Sequence, residues 1–237
     1  MAELLFITDV APYPAAANVQ IANLSHGSIG QAVVAVEQIA NSCELGFRHF
    51  ARSSDVELEE IVRASVLILF TIGETPWNEQ QRRLIEHRVG NGELGLVGLH
   101  SATDSAYDWQ AFGDLIGARF DGHPATGDLT ITVVDRQHPS TAHLRSPWRF
   151  KDELYVFRNL VQDARVLLAI ELGSVPPGER APRDWHGPRA LPLAWSIERG
   201  ATRTFYTALG HFAAAYEDEA FLKHLRGGIE WVQRTSQ

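Results

Sequence analysis

Cysteine is nearly absent from this chain: Cys43 is the only one in 237 residues, beside a single methionine. One thiol cannot close an internal disulfide, and a zinc site built from four cysteines is arithmetically impossible. Long apolar runs are missing too, and nothing reaches the roughly 18 residues that a membrane-spanning helix needs. Residues 1–9 lack the basic start and long apolar stretch of a secretory signal. The expected compartment is therefore the cytoplasm, where a lone reduced thiol is ordinary. Glycine is plentiful but not in phosphate-cradling order: Asp9-Val10-Ala11-Pro12 follows the first apolar run where a GxGxxG would stand, and no GxxxxGK[ST] occurs. No nucleotide cofactor is expected. Positive charge is in deficit, with 21 Lys and Arg against 29 Asp and Glu and a net charge of −8. That balance argues against nucleic acid and anionic membrane as partners.

What the chain does have is histidine, ten residues of it, together with six tryptophans. Histidine titrates near neutrality and is the commonest metal ligand, so its placement matters. The remaining composition, 45% hydrophobic and 21% charged, is that of an ordinary globule. With no linker, repeat or charge run to divide it, the chain is expected to form one domain over residues 1–237. Apolar runs at 4–8, 47–50, 65–71 and 95–99 read as strands. Helical spacing covers 28–41, 55–63, 77–89 and 109–117. That alternation implies βαβ units, hence a parallel sheet with helices on both faces. The second half is less regular, with strands expected at 129–134, 166–170, 193–197 and 204–207 and a last helix over 218–232. Residues 173–192 hold five of the eleven prolines and read as a long loop, of the kind that is functional or mobile.

Gly98-Leu99-His100-Ser101-Ala102 stands where a buried strand hands over to a helix, the place where doubly wound sheets bind ligands. Its small flanks give it the rhythm of a nucleophile elbow, with His100 in the nucleophile's position. Cys43 lies in the first helical pattern and reads as core. Here the chain resembles the ThuA-like (trehalose utilisation) family, over most of its length from about Leu4 on and only loosely over the first 60 residues. The resemblance rests on Gly98-Leu99-His100-Ser101-Ala102-Thr103-Asp104, Tyr107-Asp108-Trp109, Phe120-Asp121-Gly122-His123-Pro124 and His138-Pro139. It continues through Asp152-Glu153-Leu154-Tyr155, Leu193-Ala194-Trp195, Phe205-Tyr206-Thr207-Ala208-Leu209-Gly210-His211 and Gly228-Ile229-Glu230-Trp231. It implies a class I glutamine amidotransferase-like fold, flavodoxin-like and doubly wound around a mainly parallel sheet. It also implies carbohydrate metabolism involving disaccharides and oxidised keto sugars. The elbow without a cysteine argues against glutamine hydrolysis.

The candidate catalytic residues are His100, His211, Glu153 and Tyr155. His100 and His211 each follow a strand-like run, so both can meet at the carboxyl edge of one sheet, as acid–base work requires. Glu153 and Tyr155 alternate in an extended segment and share a face, which leaves Asp152 outward as solvated charge. Ser101, His123, Trp109, Trp195 and the N-terminal His26 are candidates for substrate binding. Trp148 is a further aromatic able to stack on a sugar, although core packing is the favoured reading of the tryptophans as a set. A divalent metal such as zinc is a candidate cofactor, with His100, His123 and His211 as ligands and Glu153 as a further suitable oxygen donor. His138 reads as structural, and His49, His87, His143, His186 and His224 as solvated or structural. The expected activity is acid–base or metal-assisted chemistry on a saccharide or keto sugar. The alternatives are a non-catalytic sugar-binding or regulatory module, a partner subunit of a sugar dehydrogenase, and a homo-oligomer.

Overall fold

The structure, a computed structural model, describes residues 2–12, 26–171 and 190–233. Among them nine strands form one sheet, in the order β2-β1-β3-β4-β9-β8-β7-β5-β6. Its first half is parallel. β1 (Glu3–Ile7) lies between β2 (Gly46–Phe50) and β3 (Ala64–Leu69), and β3 is followed by β4 (Gly95–Leu99) and β9 (Thr202–Thr207). The three inner strands β1, β3 and β4 are almost wholly apolar and buried along their length, as strands covered on both faces must be. β2 is half-exposed and carries Arg48 at its centre, which suits an edge that should not recruit another strand.

Helices cover both faces. α1 (Ile29–Ser42) turns Ala32, Ala35, Val36, Ile39 and Ala40 to the core. α2 (Leu58–Arg63) packs beside α3 (Glu79–Gly90), whose start is held by a reciprocal Asn78–Gln81 capping box. α4 (Gln110–Ile116) and α5 (Glu219–Gln233) lie on opposite sides of β4. A Cβ on Gly98 would meet α4 at Ile116, one on Gly95 would meet α5 at Val232, and residues three apart in a strand face opposite ways. Among the described residues no helix is long and apolar enough to cross a membrane.

The other half of the sheet is antiparallel, which makes the whole sheet mixed. β8 (Ala190–Arg199) pairs with β9, β7 (Arg165–Glu171) with β8, and the end of β5 (Arg119–Val133) with β7. β6 (Trp148–Arg158) pairs with the rest of β5 across irregularities at Phe120/Gly122 and Gly122/Ala125. Two expectations are corrected here. The strand anticipated at 129–134 begins ten residues earlier, at Arg119, and the short segment around 152–155 is an eleven-residue strand. Gly122, Pro124 and Gly127 interrupt the alternation that marks a strand; irregular pairing absorbs Gly122 and Pro124, while Gly127 keeps register opposite Asp152. The proline-rich stretch lies mostly outside the described residues, but its last residues, Leu191 and Pro192, belong to β8.

Candidate functional site

β4 and β9 run parallel in register, with Leu99 opposite Thr207, so their carboxyl ends finish side by side. His100 leaves β4 in a left-handed conformation, φ +49°, and opens a 3-10 turn over His100–Asp104. A non-glycine residue keeps that backbone only where its surroundings enforce it. Here they do. The Tyr206 hydroxyl donates to the His100 carbonyl at 2.7 Å and lies 3.0 Å from the Thr103 hydroxyl. The imidazole Nδ1 of His100 is 2.6 Å from the Ala208 carbonyl. A carbonyl only accepts, so Nδ1 carries the hydrogen and Nε2 presents its lone pair. The Tyr155 hydroxyl, 2.9 Å away, donates to that lone pair.

The second histidine is placed by a buried carboxylate. Asp152 accepts from the backbone N–H of Gly210 at 2.7 Å, of His211 at 3.1 Å and of Glu153 at 2.8 Å. Gly210 is left-handed, φ +121°, and a side chain there would strike the Tyr216 hydroxyl. Asp152 is fully buried rather than the outward charge that strand alternation suggested. Both faces of β6 are covered at this point, because the β5–β6 ribbon curls over the ends of β4 and β9. Burial pushes the Asp152 carboxyl up to about 6, against the lowering effect of its three N–H donors.

Between the histidines lies Glu153. Its Oε2 is 3.5 Å from Nε2 of His100 and 3.2 Å from Nδ1 of His211, and its Oε1 is 3.7 Å from Nδ1 of His123. His26, just before α1, closes the group, with ring centroids 4.6 Å from His100 and 5.2 Å from His211. One ligand atom from each of His26, His100, Glu153 and His211 lies within 4.8 Å of all the others. The site opens through His211, whose side chain is 28% exposed, and His123, at 53%.

The charges follow the burial. His26 is lowered to about 4 by burial and by His211 beside it, and His100 is held well below its ordinary value by burial and by His26. Both are neutral near pH 7. Burial works to raise the Glu153 carboxyl, but His211, His123 and His26 together hold it low. Glu153 in turn raises His211 against the effect of burial. Burial pushes the Tyr155 phenol well above its usual range, so it is a proton donor throughout.

Of the residues singled out in the sequence, His100, His211, Glu153, Tyr155 and His26 come together, with His123 at the rim. Of the groups read as suitable metal ligands, the fold gathers His100, Glu153 and His211 together with His26, while Nδ1 of His123 lies 3.7 Å from Glu153 at the rim. Trp109 and Trp195 are not in the pocket either. Trp109 stacks on Phe112 and donates to Glu86, while Trp195 stacks on Tyr206 and donates to the Ile116 carbonyl, and both are buried. Trp148 packs on Phe150, also in the core. Ser101 is buried, and its hydroxyl has no protein partner among the described residues. His138 and His224 are buried and bonded within the core, and His49, His87 and His143 bond to nearby groups. His186 lies outside the described residues. Cys43 is the C-cap of α1, half-buried against the core rather than inside it. Sequence reasoning missed Asp152, and also Tyr206, which locks the elbow.

Three neutral or ionisable imidazoles, a carboxylate and a phenol around one point can move protons, donate to a developing oxyanion or coordinate a cation. None is an activated thiol or alcohol. The fold is shared with a ThuA-like protein from Bacteroides uniformis at 18% identity, covering 97% of this chain and 91% of that one, TM-score 0.73. A ThuA-like protein from Parabacteroides merdae matches at 20% identity over 100% and 92% of the two chains, TM-score 0.71. A GMP synthase component from Thermoplasma acidophilum, of class I glutamine amidotransferase-like structure, matches at 9% identity over 98% and 94%, TM-score 0.51. A search of curated proteins finds no match. The family described as ThuA, trehalose utilisation, matches residues 18–232, and on that extent the chain belongs to the ThuA family, with the carbohydrate-related role its description carries.

Proposed function

We propose that the protein is an enzyme acting on a disaccharide or keto-sugar derivative bound against His100, Glu153, Tyr155 and His211. The reaction class is proton removal and return at a carbon beside a carbonyl. A carbonyl makes the neighbouring C–H acidic, because the electron pair left behind moves onto the carbonyl oxygen. Such a step needs a proton acceptor and an oxygen-stabilising group, and no covalent nucleophile. The observation that carries this reading is the convergence of the four groups at the ends of β4 and β9, where the elbow holds a histidine. Tyr155 is the donor suited to the developing oxyanion, and Glu153 the carboxylate that tethers His211 at the mouth. The cluster can move the proton directly or through a bound cation that polarises the carbonyl. The same carbon reacts either way.

The test is incubation of the purified protein with glucosides, trehalose and their 3-keto forms in D2O, followed by NMR and mass spectrometry. Conversion of a keto sugar, or deuterium entering beside its carbonyl, is the expected result. His211→Ala and Tyr155→Phe should each slow it by about 100-fold or more. Saccharide binding seen as a melting shift, with no exchange or conversion of any ligand, overturns the catalytic reading in favour of a binding module.

A further inference from the structure

We infer that His26, His100, Glu153 and His211 form a binding centre for one divalent transition-metal ion. The inference rests on the reading of this pocket as the reacting site and specifies how its histidines act there. Two buried nitrogens, Nδ1 of His26 and Nδ1 of His211, have no hydrogen-bond partner among the described residues. Glu153 approaches His211 within 3.2 Å but is not aligned for an N–H···O bond. A buried polar atom left without a partner carries its full desolvation penalty and calls for an ion or water to meet it. The two atoms belong to neighbouring rings, edge-on with centroids 5.2 Å apart, in the group whose ligand atoms lie within 4.8 Å of one another.

The spacing suits coordination. Tetrahedral ligands at bond lengths of about 2.0–2.1 Å stand roughly 3.3–3.4 Å from one another. The Glu153 Oε2 contacts to His211 and His100, 3.2 and 3.5 Å, bracket that value. All four ligand atoms lie within 4.8 Å of one another. The outer shell is also in place. Nδ1 of His100 is committed to the Ala208 carbonyl at 2.6 Å, which fixes the ring and leaves Nε2 to ligate. The hydrogen bonds of Asp152 to the Gly210 and His211 amides fix the backbone that carries the His211 ligand. A cation at this point takes Nε2 of His100 from the Tyr155 hydroxyl and frees that phenol to face substrate.

The donor set selects the ion. Three imidazoles and one carboxylate suit zinc and its first-row neighbours, whereas magnesium and calcium require mainly oxygen ligands. Such an ion polarises the carbonyl or alcohol oxygen of a bound sugar, which makes the adjacent proton removable.

Full-length protein stripped with EDTA and titrated with Zn2+ by calorimetry, with native mass spectrometry for stoichiometry, tests this. One equivalent per chain is expected, with a melting temperature that rises with free zinc. His26→Ala, His211→Ala and Glu153→Gln should each weaken binding by more than about 100-fold, beyond an outer-shell effect. His87→Ala, an exposed histidine on α3, should leave it unchanged. Tyr155→Phe should retain the full equivalent, since the hydroxyl it removes only competes for Nε2. No stoichiometric zinc on the wild type, or equal binding by the three ligand variants, overturns the centre. Metal bound without turnover of any sugar supports the centre and overturns the functional reading. Turnover of a keto sugar by a wild type that takes up no stoichiometric zinc overturns the centre and leaves the functional reading standing.

Discussion

Asp152 shows how one buried carboxylate organises a site without entering it. Its oxygens take three backbone N–H groups, two of them from the Gly210-His211 turn. Without those bonds the turn would leave buried donors unpaired. Asp152→Asn keeps the shape but replaces one acceptor with an NH2 that faces a donor. The expected cost is about 1–3 kcal/mol of stability, read as a lower urea midpoint with an unchanged slope. Turnover and zinc affinity should fall with it, because His211 is carried on that turn. An unchanged midpoint would mean that the turn holds itself. Nothing in the local sequence separates Asp152 from a solvated charge. Strand alternation puts it opposite Glu153, and only the curl of the ribbon over β4 and β9 covers both faces.

At the scale of elements, the parallel half of the sheet was legible because buried parallel strands are apolar throughout and their helices keep a 3.6-residue period. The elbow was legible for a related reason: small residues at Gly98 and Ala102 leave room for a sharp turn. The β5–β6 ribbon was not legible, because glycine and proline interrupt its pattern and its pairing is long-range. Core packing, the favoured reading of the tryptophans, is what Trp109 and Trp195 show: an indole needs one hydrogen-bond partner, and they find theirs in Glu86 and the Ile116 carbonyl rather than in a sugar. His26 could be read only as a histidine shortly before a helix, since its neighbours in the cluster come from three other parts of the chain. Gly98 makes the element-level prediction. A Cβ there would sit 2.4 Å from the tip of Ile116 and 2.7 Å from the Tyr206 ring. Ile116 can turn aside, whereas the ring is packed between Trp195 and Phe157 and its hydroxyl holds the elbow carbonyl. Gly98→Ala should therefore cost about 1–3 kcal/mol by overpacking. It should also slow turnover more than an equally destabilising change on the outer face of α3. Equal losses in the two variants would separate Tyr206 from the site.

At the scale of the whole molecule, the histidine excess becomes a pH dependence of stability. His224 is fully buried, donates from Nδ1 to the Ser140 carbonyl and lies 3.1 Å from the Thr207 hydroxyl through Nε2. Burial lowers it from 6.5 to about 3, and His138, buried beside the same core, falls to about 4. Both are depressed on folding, so at pH above 6.5 neither state takes up their protons and the full stability is present. Below that value the unfolded chain binds protons that the folded chain refuses. Each group then removes about 1.4 kcal/mol per pH unit until its folded value is reached. His26 and His100 act in the same direction. Asp152 and His211, raised on folding, act in the opposite direction and offset part of the loss. The expected profile is a decline from pH 6.5 toward pH 4, with the His211 contribution lost on the other side as pH rises through its raised value, measured by urea unfolding at fixed ionic strength. His224→Gln can still donate to the Ser140 carbonyl but has no ring to protonate. It should start lower at pH 7 and decline less steeply. The same slope in variant and wild type would show that His224 is not among the groups that set acid sensitivity.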